Sequence, residues 1–270
     1  MSDAKIKLSV NGATGRMGQR VIALAYETGA FELVEALCAN DSPEIGMDAL
    51  GLAVPTAHSE VHFSPDASDA KPQVLIDFSL PPALEKVLAS CVNRGCAFVS
   101  GTTGFAPEHW DALEEAAKVI PVLHAPNFST GVNVLCRLAA QAAKVMDDSD
   151  IEIVEMHHNQ KKDSPSGTAD RLLQVVCETL ERDAEADTRH GRRGDVGART
   201  KREIGMHALR GGDVVGDHTV IFAAQGERIE LTHKASNRDT FAKGAVRAAR
   251  WLAGKPAGRY TIDQVLFGAE

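Results

Sequence analysis

Aromatic residues are scarce in this 270-residue chain, 5% of the total, which removes the stacking platform that single-stranded nucleic-acid binders lay down. Positive charge is short as well. The 29 Lys and Arg stand against 37 Asp and Glu, a formal net charge of -8 and the wrong sign for a phosphate-backbone partner. No apolar run approaches the roughly 18 residues of a membrane span. The opening MSDAKIKLSVNGATG passes straight into a strand-like segment, leaving no room for a signal peptide. Five cysteines (Cys38, Cys91, Cys96, Cys136, Cys177) are odd in number and lack CxxC spacing, so neither a disulfide framework nor a metal site is expected. These absences point to a cytoplasmic protein with no nucleic-acid or membrane partner. What remains, 44% hydrophobic and 24% charged, is enough to bury real cores, and the length suits one large or two modest domains.

The first half alternates strand and helix patterns. Strands are expected at Ile6–Asn11, Phe31–Cys38, Val74–Phe78, Ala97–Ser100 and Ile120–His124. Helices are expected from about Arg16 to Thr28, from Pro81-Pro82 onward, and over Pro107–Lys118. Such alternation implies a parallel sheet wound with helices on both faces. The pattern then changes. Thr130–Val145 reads as a helix, Ile151–Met156 as a strand, and Ala169 through Leu180 as a helix with one apolar face. Arg182–Arg202 is polar and aperiodic, the pattern of a mobile loop with a functional or interface role. His218–Ala224 and Glu227–Ala235 form a hairpin around Gln225-Gly226, and Phe241 to Leu252 a last helix. Strands clustered after helices give a second domain with an open mixed or antiparallel sheet.

The first chemical signal is Gly12-Ala13-Thr14-Gly15-Arg16-Met17-Gly18, directly after a strand and opening a helix. A dinucleotide pyrophosphate needs bare amides, close approach and the positive end of a helix dipole, and this turn offers all three. The spacing is GxxGxxG rather than GxGxxG, and a tight turn without a ligand is the plainer alternative. An acidic residue about 20 positions beyond the glycines usually holds the adenosine ribose. Here that place reads Cys38-Ala39-Asn40, with Asp41 and Arg16 the nearest charges, so preference between NADH and NADPH is open. Loops at Phe78, at Gly101-Thr102-Thr103 and at Ala125-Pro126-Asn127-Phe128 follow three further strands, and together suit the ribose and the nicotinamide carboxamide.

Residues 155–169 read EMHHNQKKDSPSGTA. Two histidines and two lysines lie at a strand end, before a helix that starts at Ser166-Gly167-Thr168. Amides at that helix start, with two hydroxyls, form an anion cradle, and Lys161 and His157 add charge and a proton source. A small dianionic acid that is protonated as it reacts fits this set. The simpler alternatives are helix caps at Ser166 and Thr168 and an ion pair at Asp163. Adjacent His157 and His158 point to opposite faces of a strand and do not chelate one metal.

The chain resembles the 4-hydroxy-tetrahydrodipicolinate (dihydrodipicolinate) reductase family. The resemblance rests on GATGRMG (12–18), GTTG (101–104), APNFS (125–129), EMHHNQKKDSPSGTA (155–169), LRGGDVVGDHTV (209–220) and HKASNRDTFAKGAVRAARWL (233–252), in the family's order along the chain. It implies NADH- or NADPH-dependent reduction of a small dicarboxylate in diaminopimelate and lysine biosynthesis. His157 would be an acid/base group and Lys161 the proton donor. His158, Ser166, Gly167, Thr168 and Arg238 would hold the substrate. The implied fold is α/β: a Rossmann-like dinucleotide-binding domain, residues 1–128 with 239–270, and an α+β substrate and tetramerisation domain, 129–238, with an open mixed sheet. Domain closure and a homotetramer follow from the same resemblance. Some members carry an acidic residue and an arginine where this chain has Cys38-Ala39. Two other readings fit the residues: reduction of another small oxo or imino acid, and a non-catalytic NAD(P)H-sensing regulator.

Overall fold

In the computed structural model, which describes residues 4–268, alternating apolar strands and amphipathic helices build the first unit. β1 (Ile6–Asn11) buries its last four residues. The glycine turn leads into α1 (Arg16–Thr28), which Gly29 ends in the left-handed conformation at φ 65°. β2 (Phe31–Leu37) pairs parallel with β1. A connection carrying the short α2 (Ala49–Ala53) reaches the two-residue β3 (Phe63–Ser64). β4 (Val74–Asp77) is buried throughout. Pro81 and Pro82 lie in a 3-10 turn, Pro81–Ala83, and α3 (Leu84–Arg94) begins only after it. The prolines therefore precede the α-helix instead of opening it, because neither has an N–H to give and the tighter turn absorbs them. β5 (Ala97–Ser100), α4 (Pro107–Ala117) and β6 (Pro121–His124) complete the alternation.

The second unit, Thr130–Arg238, opens with α5 (Thr130–Val145). β7 (Asp150–His157) alternates buried and half-buried residues, the signature of a sheet with one covered face. α6 (Gly167–Leu180) starts at Ser166, whose side chain accepts from Ala169 N. The polar stretch 182–202 is irregular over most of its length, as its composition suggests. It contributes an edge strand, β8 (Thr188–His190), and its arginines tie it down. Arg192 pairs with Glu152 and Glu203, Arg199 with Asp150 and Glu152, and Arg202 with Asp187. β9 (Ile204–Arg210), β10 (Gly216–Ala224) and β11 (Glu227–Ala235) follow. The five strands run in the order β11-β10-β7-β9-β8. β10 is antiparallel to both neighbours, while β7, β9 and β8 pair parallel, so the sheet is mixed. α5 and α6 bury Ile151, Ile153, Ile204, Met206, Val220 and Phe222 on one face. Alternation places Glu152, Val154, Met156, His207, Leu209 and Ile221 on the other, none of them fully buried.

The chain then returns to the first unit, which ends at Ser129 and resumes at Asp239. α7 (Asp239–Leu252) packs on α1 and on β4 to β6, β12 (Gly258–Tyr260) extends the sheet beside β6, and α8 (Ile262–Phe267) closes the described chain. The seven strands run β12-β6-β5-β4-β1-β2-β3, all parallel. One core lies under α1, α2 and α7, and a second under α3 and α4. β1 and β4 are neighbours that lead away in opposite directions. Their carboxyl ends therefore flank the switch point, where sheets of this type bind ligands.

Candidate active site

At that switch point the first unit holds a backbone cradle. Gly12 sits at φ 71°, and a Cβ there would come within 2.6 Å of Phe78 O, so only glycine lets the turn pass this close to the end of β4. A Cβ on Gly18 would overlap Gly12 O, which fixes the contact between α1 and the turn. Gly15 precedes α1 in extended conformation with no side-chain cap, leaving the helix start to a ligand or to water. Ala13 is buried and its N–H donates to Leu37 O, while Thr14 O accepts from Gln19 Nε2. Arg16 is exposed and Met17 half-buried. Bare amides, a helix dipole and the absence of Cβ atoms fit a pyrophosphate.

The floor of this cradle is Asp77, 1% exposed, whose role the sequence did not signal. Its Oδ1 accepts from Asn11 Nδ2 (2.8 Å), Ser79 Oγ (2.6 Å) and Ser79 N (3.2 Å). Its Oδ2 accepts from Ser100 Oγ (2.9 Å) and Thr102 Oγ1 (2.8 Å). One carboxylate thus ties together the ends of β1, β4 and β5. Thr102 is further held by His124, whose Nε2 lies 2.9 Å from Thr102 O. Burial pushes His124 below its ordinary value, so the ring is neutral and donates from that nitrogen. Phe128 is buried against Phe78, ring centroids 6.1 Å apart, and Asn127 Oδ1 accepts from Ser129 N. Gly101, Thr103, Ala125 and Pro126 line the same strand ends, with Thr103 and Pro126 exposed. The candidate dinucleotide residues therefore share one sheet edge.

The second unit gathers the other candidates around a carboxylate that the sequence reading passed over. Glu155, on β7, is 0% exposed. Its Oε2 lies 2.6 Å from His157 Nδ1 and 2.9 Å from Arg210 Nη1, and its Oε1 accepts from Ser166 N at 3.2 Å. A carboxylate only accepts, so His157 carries its proton on Nδ1 and leaves Nε2 as the exchangeable nitrogen. A Cβ on Gly216 would stand 3.0 Å from that Nε2; glycine keeps its approach clear. Arg210 also donates to Asp163 O (2.7 Å), pinning the segment after β7. His158 N donates to Val214 O, which fixes the same segment to the β9–β10 connection.

His218 is a second residue the sequence did not single out. It is 3% exposed, its ring centroid lies 5.2 Å from that of His157, and its Nε2 lies 3.0 Å from Ser166 Oγ. Burial first, and the neighbouring His157, His233 and Lys161 next, push it down to about 3, so it is neutral near pH 7. Lys161 Nζ is paired with Asp163, 2.7 Å away, which holds the Asp163 carboxyl below its ordinary value. Gly167, the first residue of α6, has open space where a Cβ would sit. The structure thus brings His157, Ser166, Glu155, Arg210 and His218 into one cluster, with Lys161 joined to it through Asp163 and with Gly167 and Thr168 at the adjoining helix start. Arg238 is exposed in the turn after β11, and among the described residues it makes no hydrogen bond or ion pair with that cluster. His158 is half-buried beside His157.

Residues 6–128 match the family described as dihydrodipicolinate reductase, N-terminus, and residues 131–266 that described as dihydrodipicolinate reductase, C-terminus. A protein of Syntrophotalea carbinolica named 4-hydroxy-tetrahydrodipicolinate reductase is 48% identical over 264 residues, 97% of this chain and 98% of that protein. One of the same name from Myxococcus xanthus is 46% identical over 267 residues, 97% of each chain. Among solved structures, a dipicolinate-bound dihydrodipicolinate reductase from a Paenisporosarcina species aligns with a TM-score of 0.76 at 24% identity, covering 96% of this chain and 98% of the other.

Proposed function

The chain belongs to the dihydrodipicolinate reductase family, and on that premise we propose that the Glu155–His157 cluster at the start of α6 is where its substrate is held and protonated. The reaction is NAD(P)H-dependent reduction of 4-hydroxy-tetrahydrodipicolinate to tetrahydrodipicolinate with loss of water, a step of diaminopimelate and lysine biosynthesis. The product differs from the substrate by the lost hydroxyl and by one added hydrogen at the fourth ring carbon. A bound reduced nicotinamide supplies that hydrogen as hydride. Loss of the hydroxyl as water, with a proton from the neighbouring ring carbon, leaves a carbon–carbon double bond conjugated with the carbon–nitrogen one. Hydride addition at the fourth carbon would push the electron pair onto nitrogen, and the enamine so formed is protonated on its carbon to give the product imine.

The chain's own residues have three tasks. Gly12 to Met17, Phe78, Gly101 to Thr103 and Ala125 to Phe128 bind and orient the dinucleotide, on a floor made rigid by Asp77. The amino end of α6, with Ser166, Gly167 and Thr168, takes one substrate carboxylate by amide hydrogen bonds and the helix dipole. His158 and Lys161 meet the remaining negative charge, and Arg238 is the further candidate cation. Lys161 or His157 delivers the proton. Glu155 is a positioning residue, because it fixes the tautomer and the orientation of His157 while Arg210 balances its charge. The observation that carries this reading is a fully buried carboxylate that simultaneously holds an imidazole, a guanidinium and the first turn of an anion-binding helix. Such a group has no packing purpose, and its burial is compensated because each of these neighbours donates a hydrogen bond to it.

We further propose a cytoplasmic homotetramer, with the uncovered face of the mixed sheet, including Val154, Met156, Leu209 and Ile221, as the surface between copies. Sedimentation of a monomer at micromolar concentration would refute this. The activity is tested by following reduced-nicotinamide absorbance while the preceding synthase generates substrate from pyruvate and aspartate semialdehyde. Oxidation that needs the complete mixture supports the reading. A folded, dinucleotide-binding protein that oxidises neither cofactor overturns it.

A further inference from the structure

The end of β2 carries Cys38-Ala39-Asn40, with no carboxylate to receive the hydroxyls of an adenosine ribose. The fold supplies one from six residues further on. After β2 the chain closes in consecutive tight turns, in which Ser42 N donates to Ala39 O (3.1 Å), Ile45 N to Ser42 O (3.4 Å) and Met47 N to Glu44 O (2.9 Å), and Gly46 N anchors them to Phe63 O of β3 (2.9 Å). These turns bring Glu44, half-buried, back beside the glycine turn. The Ser42 hydroxyl donates to Glu44 Oε2 at 2.6 Å, and its oxygen lies 3.3 Å from Thr14 Oγ1, inside the glycine turn itself. On the β2 side, Cys38 is hydrogen-bonded to Ser42; its thiol is pushed up by burial first, and the Glu44 carboxylate adds to that. A carboxylate therefore stands one hydroxyl away from both the turn and the strand end that define the adenosine corner of this fold.

We propose that Glu44 sets the cofactor preference of this reductase toward NADH, standing in for the acidic residue missing at the end of β2. The inference rests on the dinucleotide-dependent reading above. Glu44 accepts from a ribose 2′-hydroxyl, directly or through Ser42, and repels a 2′-phosphate of like charge. Arg16 is the opposing group. It is exposed at the first residue of α1 and makes no ion pair among the described residues. Its charge favours any phosphate, including the pyrophosphate common to both cofactors, so it does not by itself select NADPH.

The test is calorimetric titration of the wild type and of Glu44→Gln with NADH, NADPH, ADP-ribose and 2′-phospho-ADP-ribose. The two fragments lack nicotinamide, so the readout is independent of turnover. Wild type is expected to bind the unphosphorylated member of each pair more tightly. Glu44→Gln should tighten the 2′-phosphorylated ligands about tenfold and weaken NADH no more than about threefold. Ser42→Ala, which releases the carboxylate, should shift the ratio the same way and by less. A wild type that prefers NADPH, or a ratio unmoved in both variants while NADH still binds, overturns the inference and leaves the reductase reading standing. A wild type that binds none of the four ligands overturns both.

Discussion

Replacing Glu155 by Gln perturbs the site at the group on which the other contacts converge. Glu155 Oε2 accepts from His157 Nδ1 at 2.6 Å and from Arg210 Nη1 at 2.9 Å, and Oε1 from Ser166 N at 3.2 Å. Glutamine is isosteric but neutral and has one oxygen. With that oxygen toward His157 and Arg210, its amide group meets the Ser166 N–H, donor against donor. With the oxygen reversed, it abandons both His157 and Arg210. A charge-assisted hydrogen bond contributes about 1.5–3 kcal/mol and a neutral one about 0.5–1.5, so the His157 contact loses about 1–1.5 kcal/mol even in the better orientation. The unpaired Ser166 amide and the uncompensated Arg210 add to this, and the sum corresponds to a fall in kcat of about 10- to 100-fold. Steady-state turnover should show that fall, while the dissociation constant for reduced dinucleotide, measured by fluorescence, stays within about twofold, a change of less than about 0.5 kcal/mol. Nitrogen-15 spectra of the imidazole should report a single Nδ1–H tautomer for His157 in the wild type and a mixture in the variant, a change that a purely structural role would not produce. Wild-type kcat together with an unchanged His157 tautomer would refute the argument.

Asp77→Asn places an amide among five donors, leaving at least one buried hydroxyl or amide without an acceptor. It should cost about 1–3 kcal/mol of stability in denaturant melts and weaken dinucleotide binding about tenfold. Gly216→Ala puts a methyl group 3.0 Å from His157 Nε2 and should depress kcat while leaving dinucleotide affinity unchanged, as turnover and titration together would reveal. His218 is pushed from its ordinary value near 6.5 to about 3, so between these values the unfolded chain binds the extra proton. Its contribution to stability is complete above about pH 6.5 and is lost as the pH falls toward 3. Melts between pH 7 and pH 4 should show His218→Gln losing less stability on acidification than the wild type does.

The elements that sequence alone made legible have local punctuation. α1 runs from Arg16 to Thr28 as expected, because Gly15 and Gly29 bracket one amphipathic run; α5 and the β10–β11 hairpin are bounded as clearly. β9 was not foreseen. In IGMHALR a glycine and a histidine interrupt the apolar run, and its partners β7 and β8 are distant in sequence. Within 182–202 the short β8 has no local signal, because the stretch is held by ion pairs to Glu152, Asp150 and Glu203, which leave no periodicity behind. The same reason explains which residues of the proposed sites stand out in the sequence. Gly12 to Gly18 and His157 to Thr168 are contiguous motifs. Asp77 looks like an ordinary strand end, Glu155 falls in register with Ile151 and Ile153 of IEIVEM, where an apolar residue is expected, and Arg210 and His218 sit in the 209–220 stretch with nothing local to give them a role. Each takes its role only when strand pairing brings β4 beside β1 and β5, or β7 beside β9 and β10.

The central claim, that protonation of the substrate is carried out at the cluster before α6, meets its most direct test in Lys161→Ala. Among the described residues the Lys161 ammonium is hydrogen-bonded to the exposed Asp163 carboxylate and not to Glu155, so its removal leaves the buried Glu155 network in place. Turnover in the presence of generated substrate should fall about 100- to 10,000-fold, the usual contribution of a positioned proton donor, with dinucleotide affinity and melting unchanged. Near wild-type turnover in this variant and in the double variant Lys161→Ala/His157→Ala would contradict the account and move the proton donor away from this segment.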